Sequence, residues 1–506
     1  MAASRRRPSA AQQAKVLELK IARDHLRAFE GAKRSRRTDG WLTQNLGPNA
    51  DIKPALKWLM QRHQDLADSD PWVKRAIDVI VSNVIGTGIE GAPIGGTKAF
   101  AAAFQDWAAS QDCDFYHRTN FYGLQELALR TIAVRGSVVV RQRLEPEMAG
   151  RGLVPLQLQL MEPDWLDDTK DNGYDIIGGK RFDQWGRWVS AFLYDTHPGE
   201  TGMGRLRLNS TEVPASELLH VFEQRRPGAY TGVPWGAAVL LRARDIGDYE
   251  SAEILKQKLA ACFAAFVTDA DPESGQVGDE LTETIEPGLI QKLAAGQSVE
   301  FSNPPKVEGY KEFMTTQLRA IAVGYGITYE ALTGDLSGAN FSSSRMGWLE
   351  FQRNISRWQW NMLVPQLLDP IAGWYAQFAR LSSTSRTPRR MTWTPPRREM
   401  IQPAEEIKYL IDAVKAGFMS LSEVQRSFGF VPPDLLDELA ADLKGARQRG
   451  LALSTDGQMD VGRLQAQAFS DQIAPPDQED TPEVDDPLGV AGDADGPDDA
   501  EEQSGS

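Results

Sequence analysis

Apolar positions recur along this chain with two periods, and the switches between them mark its organisation. Three- and four-residue spacing puts apolar side chains on one helical stripe, whereas two-residue alternation puts them on one face of a strand. The helical period predicts helices over Pro54 to Asp68 and over Pro71 to Ile85. Proline at the first position after Asp70 suits the start of the second, because its missing N–H has no partner there anyway. Gly86, Gly88 and Gly91 end it, and further helices are expected near Thr97 to Ser110 and Asn120 to Val134. Alternating segments follow: SVVVRQRL from Ser137, PLQLQLM from Pro155, RWVSAFLY from Arg187 and ELLHVFEQ from Glu217. Trp185 and Trp188 flank a hairpin turn, FDQWGRW, and are expected to pack within this α+β region.

A turn at Gly228 to Pro234 precedes a long helical pattern from Trp235 to about Phe266, whose Ala-rich end, Leu259 to Phe266, suits close helix approach. Thr268 to Gly309 is irregular, with short pieces such as GLIQKLAAG and SVEF. Leu318 to Gln359 then reads as helix, link, helix. The Gly- and Ser-rich link, Gly334 to Ser344, has much backbone freedom and few side chains to pack, as a mobile hairpin requires. Beyond it Trp348, Phe351, Ile355, Trp358 and Met362 form one apolar stripe, with Arg353 and Arg357 opposite and Arg345 to one side. The helical pattern runs on to Arg380, with Pro365 and Pro370 expected to bend or divide it. A loop at Ser382 to Pro403 leads to helices over Ala404 to Ala416, Ser420 to Ser427 and Pro433 to Arg449.

With 506 residues, 41% of them hydrophobic, the chain has material for roughly three or four modules. Its net charge of −15 is unevenly spread. Asp471 to Ser506 carries 13 acids and no Lys or Arg, so the rest is near neutral at about −2. Met1 to Arg37 has 11 Lys or Arg against 3 acids, and from about Ser454 the composition is that of a disordered acidic tail. No apolar run approaches the ~18 residues of a membrane span, and the first residues lack a signal-peptide core. Two cysteines, Cys113 and Cys262, sit in apolar surroundings and read as buried thiols rather than a disulfide framework.

Catalytic patterns are missing. GTGIEG, Gly86 to Gly91, fits the dinucleotide fingerprint in letters, but a helix precedes it where a strand is needed, so it reads as a helix stop and turn. No phosphate-binding P-loop occurs, and His25, His63, His117, His197 and His220 have no metal-ligand spacing. Ser342 to Ser344 stands outside any nucleophile elbow, and Asp167 and Asp168 read as solvated acids. The expectation is a chain that is not an enzyme and holds no cofactor or metal.

Five stretches, in order, resemble the portal protein family of lambda-like tailed bacteriophages: ADSDPWVKRAIDVIVSNVIGTGIE from Ala67, LQLMEPDWL from Leu158, RRPGAYTGVPWGAAVLLRARDIGDYESAEILKQKLAACFA from Arg225, EPGLIQKLAAGQSVEFSNP from Glu286, and LRAIAVGYGITYEALTGDLSGANFSSSRMGWLEFQR from Leu318. The chain departs from the usual pattern at Gly136-Ser137, where an acid more often follows the glycine.

The resemblance implies an α+β portal fold, assembled as a dodecameric ring at one capsid vertex. Through that ring double-stranded DNA is packaged and later ejected, and on it head and tail are joined. By segment it implies a basic arm (1–53), a wing (54–234), a first stem helix (235–266), a clip (267–309), a second stem helix (310–325) and a tunnel-loop region (326–344). A long helix returning to the wing (345–403), a crown (404–453) and a disordered acidic tail (454–506) complete it. Gly338, Ala339, Asn340, Phe341, Ser342 and Ser343 would form the tunnel loop. Lys256, Lys258, Arg345, Arg353 and Arg357 are candidates for positions near DNA or between subunits. Implied partners are the terminase large subunit, a head-completion adaptor, and the major capsid and scaffold proteins. No membrane is implied; the place is the virion, after assembly in the host cytoplasm. The alternative is a collar or minor capsid protein that conducts no DNA.

Overall fold

Asp70 ends one helix and begins the next. Its N–H donates to the Leu66 carbonyl, closing α1 (Pro48–Ser69), while its carboxylate accepts from the Val73 N–H at 2.8 Å, capping α2 (Pro71–Val84). The computed structural model describes residues 15, 36, 45–95, 97–200, 209–261, 265–269, 297–301, 309–338, 341–382, 390–396, 400 and 402–451. For 259–261, 265–269, 297–301, 341–344 and 381–382 it describes the backbone alone. The basic arm, apart from residues 15, 36 and its end from 45, and the acidic tail lie outside these residues, as do Cys262 and Ala339 and Asn340 of the expected loop.

The helix predicted from Pro54 begins earlier, at Pro48. Asn49 holds that first turn in place: its amide donates to the Gly228 carbonyl at 2.9 Å and its oxygen accepts from the Tyr230 N–H at 2.8 Å. Strand β1 (Glu90–Ile94) follows α2. Then come α3 (Lys98–Ala109), capped by Thr97, and α4 (Phe121–Arg135), capped by Asn120 and closed by Gly136 in the left-handed region.

The four alternating segments are strands as expected: β2 (Ser137–Leu144), β3 (Leu156–Met161), β6 (Trp188–Tyr194) and β8 (Leu218–Phe222). Between β2 and β3 lies a short helix, α5 (Pro146–Gly150), and the short strands β4 (Ile176–Ile177), β5 (Lys180–Phe182) and β7 (Ser210–Pro214) complete the set. One antiparallel sheet has the order β3–β2–β8 and the other β4–β5–β6–β7. Strand β2 serves two cores by its two-residue period. Val138 and Val140 join the large core with α2 and α4, while Val139 joins a smaller one with Met161, Ala191, Leu193 and Val213.

Four expectations need correction. The helix predicted from Trp235 to Phe266 is a 3₁₀ turn (Trp235–Ala238) followed by α6 (Leu240–Ala261), and Ala265–Asp269 is strand β9, paired with β10 (Gln297–Phe301). The aromatic and β-branched run Phe266-Val267-Thr268 favours the pleated conformation once a partner strand is present, which a helical count of apolar letters misses. The expected loop at Ser382 to Pro403 contains strand β11 (Arg390–Thr394), paired with β1; its Trp393 is buried and donates from the indole to Asp369 at 2.7 Å. Trp188 packs against the smaller core, but Trp185 is 72% exposed at the hairpin tip. Asp167 is buried, not solvated. Burial acts to raise its pKa, yet hydrogen bonds from Ser210, Thr169 and Tyr194 outweigh this and hold the carboxyl below its ordinary value.

After β10 come α7 (Tyr310–Tyr325), with the boundaries predicted, α8 (Tyr329–Thr333) and α9 (Phe341–Trp358). A π-helical stretch, Gln359–Leu368, joins α9 to α10 (Asp369–Ser382). Pro365 lies inside it: its ring would collide with a carbonyl in an α-helix, and the wider turn relieves that conflict without a break. Helices α11 (Pro403–Lys415) and α12 (Leu421–Ser427) end the first compact unit at Val431, and α13 (Pro432–Gln448) belongs to a second. Among the described residues no helix is long and apolar enough to cross a membrane.

Candidate functional site

Four segments distant in sequence meet at the end of α7. His63 on α1 is fully buried, with Nδ1 2.8 Å from the Val134 carbonyl and Nε2 2.6 Å from the Tyr325 hydroxyl. A carbonyl only accepts, so the ring proton sits on Nδ1, and Nε2 accepts from the tyrosine O–H. Burial lowers the His63 pKa, opposed in part by the Val134 bond, and burial raises that of Tyr325. Both groups are thus held neutral. Gly236 in the 3₁₀ turn before α6 completes the contact, since a Cβ there would lie 2.1 Å from the Tyr325 hydroxyl. Gly324 meets Val239 in the same way, at 2.3 Å for an added Cβ.

Helices α6 and α7 pack on each other from this junction outward. Arg242 donates to Gln317 at 2.6 Å, and Tyr249 contacts the rings of Tyr310 and Phe313 at centroid distances of 5.9 and 4.5 Å. On the other side, the indole of Trp235 stacks on Trp358 of α9 at 4.7 Å. The predicted α9 stripe is the buried one: Phe351, Ile355, Trp358 and Met362 are in the large core, and Trp348 packs against it.

The link between α7 and α9 is shorter than its composition announces. Gly326, at φ +73°, ends α7, but Ile327 and Leu332 are buried, and Thr328 caps α8 by accepting from the Ala331 N–H at 3.1 Å. Gly334, also left-handed, ends α8. The loop proper therefore starts there. Asp335 turns it by accepting from the Ser337 N–H at 3.0 Å; these Ser337 bonds hold its pKa below the ordinary carboxylate value. Leu336 is 68% exposed. Gly338 lies in the described loop, whereas Phe341, Ser342 and Ser343, expected in the tunnel loop, form the first turn of α9 together with Ser344. Serine is common at helix starts, so a Ser run before an apolar stripe fits either state, and the stripe's periodicity carries the helix back across it.

The candidate cations are spread out, and several are engaged within the chain. Arg353 pairs with Glu350 at 2.5 Å, and Arg357 pairs with Glu223 at 3.3 Å while lying over the Trp358 ring. Lys256 is 3.8 Å from the buried Glu253, and Lys258 and Arg345 are exposed. Nothing draws these five into one site.

Two clusters escaped the sequence reading because their members are far apart in the chain. Glu162, Asp164 and His197 lie close enough to share a cation, but the buried Arg135 guanidinium already pairs with both carboxylates. It is a charge network around an arginine. Lys180 is buried and has no carboxylate partner among the described residues; it donates to the Tyr230 carbonyl and sits 3.1 Å from His220 Nδ1, and desolvation pulls its pKa down to about 7. In GTGIEG, an added Cβ would lie 2.4 Å from Tyr122 at Gly88 and 2.6 Å from Trp393 at Gly91, so these glycines allow a turn and close packing.

A sequence profile described as phage portal protein, lambda family, matches residues 34–359, well over half of the chain. The chain belongs to the lambda family of phage portal proteins. A probable portal protein of Halomonas phage phiHAP-1 is 25% identical over 470 residues, covering 84% of this chain and 88% of that one. Among solved structures, a chain in the virion of a native gene transfer agent particle is 13% identical with a TM-score of 0.45, covering 73% of this chain and 92% of that one. An HK97-family phage portal protein from Corynebacterium diphtheriae is 10% identical with a TM-score of 0.32, covering 57% and 84%. By that membership the chain has a portal function at the capsid vertex. The matched span includes α1 to α9, hence the whole junction and the link beyond it.

Proposed function

We propose that copies of this chain close into a dodecameric ring around a channel for double-stranded DNA, with the loop that begins at Gly334 as its narrowest part. The observation that carries this is the outward face of α6. In its last turns Glu253 is turned inward, 8% exposed, whereas Ile254 and Leu255 are 55% and 58% exposed. A lone helix in water buries the opposite set. Leu241 on α6, Val323 on α7 and Met346, Leu349 and Trp360 along α9 and the π-helical stretch add exposed apolar surface. Neighbouring copies cover these exposed apolar side chains, as an interface between copies of the chain requires.

Within the ring, the α+β region is the wing, α6 and α7 the stem, β9 and β10 part of the clip, and α11 to α13 the crown. The clip receives the terminase large subunit during packaging and a head-completion adaptor afterwards, and the wing and crown meet the major capsid and scaffold proteins. The near-neutral body suits DNA that must slide, because each phosphate contact stabilises a stalled state. Arg353 and Arg357, held by Glu350 and Glu223, serve subunit and intrachain contacts, while Lys256, Lys258 and Arg345 stand nearest to DNA or to the next subunit. The chain performs no catalysis of its own, needs no metal or cofactor, touches no membrane, and assembles in the host cytoplasm.

Negative-stain images of the purified full chain test the reading. Rings with a central hole wide enough for duplex DNA are expected. A monomer, or a closed disc without a hole, favours a collar or minor capsid protein that conducts no DNA.

A further inference from the structure

Both ends of the segment from Gly326 to α9 are fastened at one place. Asn354, four turns into α9, donates from its side-chain amide to the Gly326 carbonyl at 3.0 Å, and an added Cβ at Gly326 would lie 3.3 Å from that same nitrogen. One residue earlier, Tyr325 donates to His63. The segment thus leaves and re-enters the fold through two adjacent buried or half-buried hydrogen bonds, one to the wing helix α1 and one to α9.

We propose that His63 and Asn354 are positioning residues. By fixing Tyr325 and Gly326 they set the direction in which the link leaves the second stem helix, so that a displacement of α1 or α9 is transmitted to the loop at Gly334. The surrounding packing makes this coupling stiff. Gly236 and Gly324 let the turn before α6 approach to within contact of α7, and Trp235 stacked on Trp358 closes the far side. Short α8 continues the rigid part, because Leu332 is 1% exposed and belongs to the large core. The first exposed residues after the junction are those of the loop itself. Packed elements have discrete arrangements rather than continuous ones, so a hydrogen bond at the root of a short link decides its orientation.

The consequence for DNA rests on the loop's proposed role in the channel, but the coupling does not. It is tested on the full chain by hydrogen exchange, without DNA. Tyr325→Phe removes one hydroxyl and keeps the ring; Asn354→Asp keeps the shape and removes the donor. The amides of Ile327, Leu332 and Gly334, which donate to Ala322, Thr328 and Glu330, report on the link. Each variant should raise their exchange at least about tenfold while β2, β3 and β8 exchange as before. A third variant separates positioning from stability. His63→Asn with Tyr325→Phe removes the bond between the two side chains but keeps an amide N–H for the Val134 carbonyl, which restores part of the lost stability but not the bond. Exchange in the link should stay raised while the melting temperature recovers. Unchanged exchange at the three amides, or a rise shared equally by the wing strands, or recovery of the link together with the melting temperature, would overturn the proposal.

Discussion

The imidazole of His63 and the hydroxyl of Tyr325 meet at 2.6 Å across 262 positions of sequence. One belongs to α1, the first helix of the described fold, and the other closes α7. A single neutral hydrogen bond contributes about 1 kcal/mol net, but leaving one of these buried partners unpaired costs about 1–3 kcal/mol. The pair therefore acts less as a source of stability than as a constraint on how α1 and α7 are joined.

Acid should weaken the fold. The folded pKa values of His63 and His220 lie below the ordinary 6.5, chiefly through burial, and for His220 also through the nearby Lys180. Below about 6.5 the unfolded chain takes up protons that the folded chain refuses, so stability present above that pH is lost as pH falls toward the folded values. Lys180 adds nothing to this window, because its own contribution is lost between 10.5 and about 7. Urea unfolding followed from pH 7.5 to 5.5 should show a falling midpoint, and His63→Phe should make the fall shallower while lowering the midpoint at pH 7.5.

Gly136 is a point of covalent necessity. It sits at φ +88° at the end of α4, and an added Cβ would lie 2.8 Å from the Val233 carbonyl carbon. Gly136→Ala combines a left-handed backbone with a backbone clash and should cost about 2 kcal/mol or more, read as a lower urea midpoint.

The two faces of α9 should respond differently. Phe351 is 1% exposed in the large core, so Phe351→Ala should destabilise by about 3–5 kcal/mol. Arg353 and Glu350 are both mostly exposed, so Arg353→Ala should change the stability of the unassembled chain by no more than about 0.5 kcal/mol. Thermal melts of the two variants check both magnitudes.

Replacing Asp335 to Gly338 with Gly-Ser-Gly-Ser should leave ring assembly intact and reduce retention of packaged DNA, since these residues lie beyond the packed α8. Deleting Gly338 to Ser343 is the harsher change, because it removes the first turn of α9 and should impair folding as well. Particle counts by microscopy, with DNA per particle measured in parallel, separate the two effects.

Elements governed by a local period were legible in the sequence. The strands at Ser137, Leu156, Trp188 and Leu218 and the buried stripe from Phe351 to Met362 all follow from spacing within a few residues, while the limits of α7 came with the family resemblance. What escaped depends on partners far away. Strand β11 exists because Glu90–Ile94 pairs with it, and β9 because Gln297–Phe301 does. The junction was invisible for the same reason: His63, Gly236, Tyr325 and Asn354 carry no motif, and only the fold brings them together. Composition also overstated the link at its far end, where Phe341 to Ser344 are the first turn of α9.

In the proposed ring, further copies of the chain cover the exposed apolar faces of α6, α7 and α9 and leave its centre open. Electron microscopy of the purified full chain, with two-dimensional classes viewed along the ring axis, tests it most directly. The account predicts closed rings with a central hole that passes duplex DNA, lost on Leu255→Glu with Met346→Glu while the chain still folds. A uniformly monomeric protein, or assemblies untouched by those charges, would contradict it.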